Sequence, residues 1–200
     1  ASPVMGQDKQ QLMDGLHGGL YEATRRGRMF LATSATAGIA LIVAATTGGH
    51  PTLWNPQGSG RLLSIRKLLL AYVSGNNAPG SLAWNITRRA GAAIAPGGPI
   101  PTATAVDAVN ALAGSGLDGS HKAIWSPTTN TFTAAPAYWR PTNLSLFTGV
   151  AATAVAPFTW GEQYDGDFLI LPDTALSLVA QQATTTSLFR IAVLFEEIDL

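Results

Sequence analysis

The side chains that most often carry out chemistry in proteins are scarce in this sequence. It contains no cysteine and three histidines, His17, His50 and His121. Without cysteine, disulfides, thiolate metal sites and cysteine nucleophiles are excluded. The histidines lack metal-binding spacing, and no Gly-x-Ser-x-Gly turn marks a nucleophile, although a Ser–His–acid triad is assembled in space and spacing does not exclude it. We therefore predict that the protein is not an enzyme and holds no cofactor.

Three carboxylates within six residues form a local cluster with metal-binding chemistry. Glu162, Asp165 and Asp167 flank Gly166. Calcium prefers clustered oxygen ligands in a loop that contains glycine, but the full twelve-residue calcium-loop pattern is absent. A solvated turn is the alternative, because Asp bonds its own backbone in turns. The sequence leaves both open.

Five tryptophans are the other candidate binding residues. They are Trp54, Trp84, Trp125, Trp139 and Trp160. Four of them lie next to or near predicted loops, where tryptophan can stack on sugars, sit in a protein interface or anchor the loop to the core. Trp84 alternates with polar residues and is predicted to be in the core. Tyr138, Trp139 and Arg140, between two prolines, form the best candidate interface patch.

The sequence is unusually poor in charge. Charged residues make up 12% of the chain, against about 25% in a typical globular domain. An uncharged polar surface is buried against a neighbour at little desolvation cost, so extensive subunit contacts are expected. A Thr- and Gly-rich β-protein that merely lacks charge is the alternative. Residues 1–140 contain eleven Lys/Arg and five Asp/Glu, whereas residues 141–200 contain one Arg and seven acids.

The charge distribution and the apolar stretches also bear on partners. The basic and acidic regions can pair within one chain or between copies. Neither is long enough to indicate a nucleic-acid-binding tail. The longest apolar stretch, residues 35–45, is shorter than the roughly 20 residues that a membrane-spanning helix needs. Neither nucleic acid nor membrane is therefore an expected partner.

Residues 1–26 are predicted to form an N-terminal arm and residues 27–200 a β-domain. Leu12, Leu16 and Leu20 are four residues apart, which gives a weak helical stripe that nearby glycines interrupt. Together with Arg25 and Arg26, these leucines are predicted to contact the protein's own domain or a neighbouring copy. The alternative is a frayed terminus.

From residue 28 onward, short apolar segments alternate with Gly, Pro and Asn turn signals. The predicted strands are 29–34, 39–45, 52–54, 61–73, 82–88, 143–149, 167–171, 174–180 and 187–198. Residues 124–132 are predicted as a hairpin or extended loop, and residues 104–113 as a helix or a loop. Strict alternation in 61–73 places Leu63, Ile65 and Leu69 on one face and Leu68 and Leu70 on the other. A strand that is apolar on both faces is either central in a sandwich or covered by a partner.

Eight or nine short strands with a turn about every ten residues predict an all-β sandwich or barrel. Because several connections are longer than a hairpin loop, crossing connections of the jelly-roll or Greek-key type are favoured over a meander. The predicted fold is therefore a jelly-roll or Greek-key β-sandwich with an extended or partly helical N-terminal arm.

Three short motifs carry a resemblance to a known family. Residues 52–60 (TLWNPQGSG), running into the strand 61–73, resemble virion proteins of tailed bacteriophages. The ending 188–199 (LFRIAVLFEEID) is similar to the closing strand of jelly-roll phage structural proteins. Ile170-Leu171-Pro172 followed by Leu176-Ser177-Leu178 resembles the strand–turn–strand that leads into it.

The resemblance implies a head decoration, or cement, protein. Such a protein is usually a homotrimer clamped onto the major capsid protein or another virion protein, located on the capsid surface and made in the host cytoplasm. The N-terminal arm would then grip a neighbour, and no catalytic residue is implied. A receptor- or glycan-binding module of a phage tail or fibre is the alternative function.

Overall fold

The structure is a computed structural model that describes residues 20–34, 36–41, 51–75, 80–88, 108–127, 137–146, 159–181 and 187–200. These residues form one short α-helix, α1 (Tyr21–Arg25), one 3-10 helical turn (Asp118–Ser120) and twelve strands. The strands are β1 (Met29–Thr33), β2 (Ile39–Ala40), β3 (Thr52–Asn55), β4 (Arg61–Ser74), β5 (Gly80–Arg88), β6 (Val109–Asn110), β7 (Ile124–Ser126), β8 (Ala137–Leu146), β9 (Thr159–Gln163), β10 (Leu169–Ile170), β11 (Thr174–Ala180) and β12 (Leu188–Asp199).

The strands form two antiparallel sheets that pack against each other. The large sheet has the order β10-β4-β12-β1-β6, with β9 also paired to β4 and β2 to β12, and the small sheet has the order β7-β3-β11-β5-β8. If the short strands β2, β6, β7 and β10 are left out, eight remain. The first pairs with the last, the second with the seventh, the third with the sixth and the fourth with the fifth.

This nested pairing is that of one long hairpin rolled into two sheets. One further strand pair in each sheet joins neighbouring parts of this rolled hairpin: β12–β4 in the large sheet and β11–β5 in the small sheet. Such a roll is the double-Greek-key arrangement of a jelly roll. The predicted all-β jelly-roll sandwich is therefore confirmed.

The hydrophobic core lies between the two sheets. Alternate residues of β12, namely Phe189, Ile191, Val193 and Phe195, are almost completely buried in it. The small sheet contributes Trp84, Trp125, Leu176 and Leu178 from the facing side. This period-two pattern allows β12 to be located from the sequence to within about a residue.

A β-bulge in β4 overturns the predicted alternation of residues 61–73. Ile65 pairs with Phe195, but Lys67 pairs with Leu194, so Arg66 is an extra residue. Such a bulge moves every later side chain to the opposite face. Leu63, Ile65, Leu68 and Leu70 therefore all reach the core, and Leu69 points outward.

The turn between β3 and β4 is held by Asn55, which is completely buried. Its Nδ2 donates to the carbonyl oxygens of Arg61 at 2.8 Å and Ile170 at 3.0 Å, and its Oδ1 accepts from the Ser59 hydroxyl at 2.7 Å. The motif at residues 52–60 thus performs a structural role, because the buried Asn55 satisfies backbone groups of two neighbouring segments.

Several element predictions differ from the structure. The strand β9 was not predicted, and β8 begins at Ala137, six residues before the predicted start. The described part of the candidate helix 104–113 contains the strand β6 and bends instead. The bends follow Asn110, whose side chain bonds Leu112 N and so turns the backbone. The later parts of the predicted segments 39–45 and 124–132 lie outside the described residues.

Candidate interaction surfaces

The predicted patch Tyr138–Arg140 lies on the edge strand β8. Trp84 of β5 pairs with Arg140 and Asn85 pairs with Tyr138, so Trp139 is the extra residue of a second bulge. Tyr138 is 56% exposed and lies opposite Asn85. The bulge brings Trp139 and Arg140 together at the end of the core, and Tyr138 points away from them.

Arg140 is held over an aromatic cluster. Its guanidinium carbon is 5.2 Å from the ring centre of Phe168 and 5.3 Å from that of Tyr164, and one nitrogen lies 3.1 Å from Asp167. The Trp139 ring meets Phe168 edge-on at 4.8 Å. These cation–π and ion-pair contacts fix Arg140 in place, so its guanidinium serves to close the end of the sandwich.

Tyr164 completes this cluster as a buried hydrogen-bond acceptor. Its hydroxyl accepts from Trp84 Nε1 at 2.8 Å. Burial raises the pKa of Tyr164 well above its usual range, and the neighbouring carboxylate of Glu162 adds to the effect. The phenol is therefore neutral near pH 7, and it stabilises the core rather than transferring protons.

The three carboxylates of the calcium hypothesis diverge. Glu162 is buried on β9, Asp165 is exposed, and Asp167 points to Arg140. Within the described parts of the chain, no three His, Asp or Glu side chains are placed so that they could hold a metal ion. The structure thus gives the calcium hypothesis no support.

His121 has local structural contacts. Its Nδ1 lies 2.7 Å from the Ala123 carbonyl oxygen, and its ring meets Phe30 edge-on at 5.7 Å. These contacts orient the loop before β7. His17 and His50 lie outside the described residues.

Most of the tryptophans belong to the core. Trp54, Trp84 and Trp125 are buried, and Trp139 and Trp160 are partly buried against the core. Trp125 Nε1 donates to the Thr33 carbonyl oxygen at 3.0 Å and so ties the two sheets together. The prediction that Trp84 is a core residue is confirmed. Trp125 also lies in the core and Trp54 is buried, although sequence position alone had placed both near loops.

An apolar groove opens beside Trp139, where β10 and β11 meet the ends of β5 and β8. Its volume is about 630 Å³. It is lined by Ile86, Trp139, Leu169, Ile170, Leu171, Pro172, Asp173 and Thr174. Leu169 is 45% and Leu171 60% exposed, although both are large and aliphatic. We call this surface the β10 groove.

A second surface, on the outside of the large sheet, is apolar between two cations, Lys67 opposite Leu194 and Arg190 opposite Ala71. It consists of Leu31, Leu69, Ala71, Ala192 and Leu194, which point away from the core and are partly exposed. They are neighbours across the sheet, since Leu194 pairs with Leu31 and Ala192 with Leu69. The solvent face of an antiparallel sheet is normally polar. We call these five residues the outer apolar face.

The N-terminal residues predicted to form an interface separate into three groups. Arg25 and Arg26 bond Glu22 within α1, at 2.9 and 2.6 Å. Leu20 lines a cavity of about 270 Å³ together with Arg66 and residues 163–165. Leu12 and Leu16 lie outside the described residues, so their predicted contacts stay predictions.

The basic and acidic regions of the chain meet within one molecule. The buried carboxylate of Glu196 lies 3.1 Å from Arg28 and 2.5 Å from Arg66. Arg61 pairs with Asp199 at the far end of the same strands. Pairing within the chain, one of the two predicted possibilities, accounts for these charges.

Sequence reasoning missed both apolar surfaces as assembled units. The groove brings together residues from 86 to 174, which no local pattern connects. The outer apolar face did leave a signal, because residues 61–73 are apolar on both faces, but the bulge at Arg66 hid which leucines point outward.

No helix among the described residues has the length and apolar character needed to cross a membrane. Comparison of the chain with protein-family models, with curated proteins and with solved structures found no match.

Proposed function

We propose that this protein is an oligomeric structural component of a virus particle, a jelly-roll subunit that decorates and stabilises a phage head. The observation that carries the proposal is the outer apolar face. Five partly exposed aliphatic side chains on one sheet surface form a patch of the kind that marks association sites. The fold itself is neutral evidence, because jelly rolls host many unrelated functions.

The low charge of the chain supports the same proposal. A surface with 12% charged residues overall loses little hydration when it is buried against another subunit. Several charged side chains, including Glu196, Arg28 and Arg66, form ion pairs within the chain. The virion assignment rests on the resemblance of the three sequence motifs, and the partner is then the major capsid protein or another virion protein.

Association through the outer apolar face is tested by one substitution with a matched control. Leu194→Lys places a second cation on the face, beside Lys67, whereas Leu200→Lys makes the same change at the chain end, where the leucine is 69% exposed. Native mass spectrometry is expected to show oligomers for the wild type and Leu200→Lys and mostly monomers for Leu194→Lys. Equal oligomer content in the two variants would show that the outer apolar face is not part of the interface between copies.

The location in the virion is tested by immunogold electron microscopy. Antibodies against the purified chain are applied to phage particles from the source of the sequence. Regular labelling of heads is expected. Labelling of tail tips would favour the receptor-binding alternative, and particles without label would contradict both.

The alternative, a receptor- or glycan-binding module, has one specific observation in its favour. The β10 groove combines a tryptophan ring with Asp173 and Thr174, and sugars bind to aromatic faces flanked by polar groups. Binding on a glycan array that Trp139→Ala abolishes would establish this alternative, whereas a decoration protein is expected to bind no glycan.

A further inference from the structure

The β10 groove opens between the two sheets at the edge of the sandwich where β10 lies. Ile86 and Trp139 of the small sheet and Ile170 of the large sheet line it together. Two further lining residues, Leu169 and Leu171, are 45% and 60% exposed. Such walls favour an apolar occupant, because its entry removes apolar surface of the groove and of the occupant from water.

The cavity that Leu20 lines opens at the same edge of the large sheet. Its other walls are Arg66 of β4 and residues 163–165, where β9 ends. β9 and β10 both pair with the side of β4 that faces away from β12. Three residues, 166–168, connect this wall of the cavity to the start of β10.

Phe168 links the cavity to the groove. Its ring meets the Tyr164 ring edge-on at 4.8 Å and the Trp139 ring edge-on at 4.8 Å. Tyr164 lines the cavity and Trp139 lines the groove. The two openings are therefore neighbours, and a chain that leaves the cavity has one aromatic side chain to pass before it enters the groove.

The direction of α1 places the residues before it at this edge. Leu20, at the start of α1, lies beside Arg66 of β4 and the end of β9. After α1, the guanidinium of Arg28 lies 3.1 Å from Glu196 of β12, and β1 then begins beside β12. The chain thus crosses the large sheet from the β9–β10 edge towards β1. Residues 1–19, which lie outside the described residues, join it at the edge where the groove opens.

This N-terminal segment contains the apolar side chains that the groove favours. Leu16 and Leu12 precede Leu20 by four and eight residues, and Met13 lies between them. An extended chain spans at most about 3.6 Å per residue, so four residues reach about 14 Å and eight reach about 29 Å. Both leucines are therefore within reach of a groove that lies one aromatic ring beyond the cavity of Leu20.

We propose that residues 1–19 dock onto their own molecule and that Leu12 and Leu16 fill the β10 groove. The tether favours the segment of the same chain over that of another copy, because a short tether gives an effective concentration on the order of millimolar. This contact selects the first of the two partners predicted for the arm, its own domain rather than a neighbouring copy. The inference does not depend on the proposed function, since the contact forms within one chain and leaves the outer apolar face to other copies.

Disulfide exchange measures the contact, because the chain has no cysteine of its own. Leu16→Cys is combined with Leu171→Cys in the groove or, as a matched control, with Leu194→Cys on the outer apolar face. Leu194 is a comparable target, since it lies two strands from the cavity residue Gln163, with Lys67 between them. Both double variants are equilibrated in a glutathione redox buffer, and mass spectrometry gives the fraction of each disulfide.

The expected result is a clear preference for the groove. The effective concentration of the two thiols should be at least about tenfold higher for the groove pair than for the outer-face pair. Equal values for the two pairs, or a higher value for the outer-face pair, would overturn the proposal. A disulfide that joins two chains would assign the groove to the arm of another copy and would overturn the contact within one chain.

A second measurement uses the full chain without an added cysteine. Leu12→Ser with Leu16→Ser removes the proposed occupant, and Gln10→Ser with Gln11→Ser is the matched control in the same segment. The fluorescence of Trp139 is isolated by subtracting the signal of the same variant with Trp139→Phe. Its quenching by acrylamide is expected to rise in the leucine variant and to stay at the wild-type level in the control. Wild-type quenching in the leucine variant would overturn the inference.

Discussion

At the scale of single residues, α1 is stabilised by an ion pair whose strength depends on pH. Hydrogen bonds from Arg25 and then Arg26 lower the pKa of Glu22 to about 2. Because an unfolded Glu titrates near pH 4.3, the stabilisation is complete above that pH and is lost as the pH falls towards 2. The expected ¹³C NMR titration midpoint of the Glu22 carboxylate is about 2.

Salt provides the control for this titration. The two arginines are largely exposed, so high salt should screen the pair and move the midpoint upward. A midpoint at the ordinary glutamate value in low salt would show that the arginines do not hold the carboxylate.

Tyr164 carries the second residue-scale prediction. Tyr164→Phe removes the acceptor of Trp84 Nε1 and leaves a buried N–H without a partner. Such a loss costs about 1–3 kcal/mol. The free energy of unfolding from urea titration should fall by that amount, whereas Tyr138→Phe, at an exposed position, should change it by less than about 0.5 kcal/mol. Equal stability of the two variants would contradict the role given to Tyr164.

The residues of the site were partly predictable. The sequence predicts Trp139 as an interface residue because tryptophan near a loop is common in interfaces, and Trp139 does line the β10 groove. Phe168 and Tyr164, which position Trp139 and Arg140, gave no such signal. Their role arises from a contact between β8 and the segment after β9, which are apart in sequence.

At the scale of strands, β11 and β12 were located to within about a residue because each is a short, strongly apolar segment. β9 was missed because Gly161 interrupts its pattern. A Cβ at Gly161 would come within 2.9 Å of Leu69 Cδ2, so the glycine leaves room for the end of the leucine side chain that lies over it. Bulges and such close approaches depend on the neighbouring strand, which the local sequence does not contain.

The bulge at Arg66 makes a prediction about deletions. Removing Arg66 leaves Ile65 and Lys67 on their present faces, because the extra residue is the one that is lost. Removing Leu69 instead turns Leu70 out of the core. The first variant should fold, weakened by the lost ion pair to Glu196, and the second should not. Circular dichroism and urea unfolding of both variants provide the measurement, and an equal loss of structure in both would contradict the assigned register.

At the scale of the whole molecule, the jelly roll is defined by nested strand pairs. The sequence predicts crossing connections between strands but not which strands pair. Strand number, turn spacing and long connections favoured crossing topologies, but the choice of partners was open. The pairing of β1 with β12 joins residues almost at opposite ends of the chain. At this scale the sequence shows that charged residues are scarce. The structure shows in addition where apolar side chains lie on the exterior.

The central claim is that these exposed aliphatic side chains are covered by other copies of the chain. Sedimentation velocity of the purified wild-type protein over a range of concentrations tests it most directly. We expect a species of about three times the 20.8 kDa chain mass, whose proportion grows with concentration. A single species of one chain mass at every concentration, up to the millimolar range, would contradict the account.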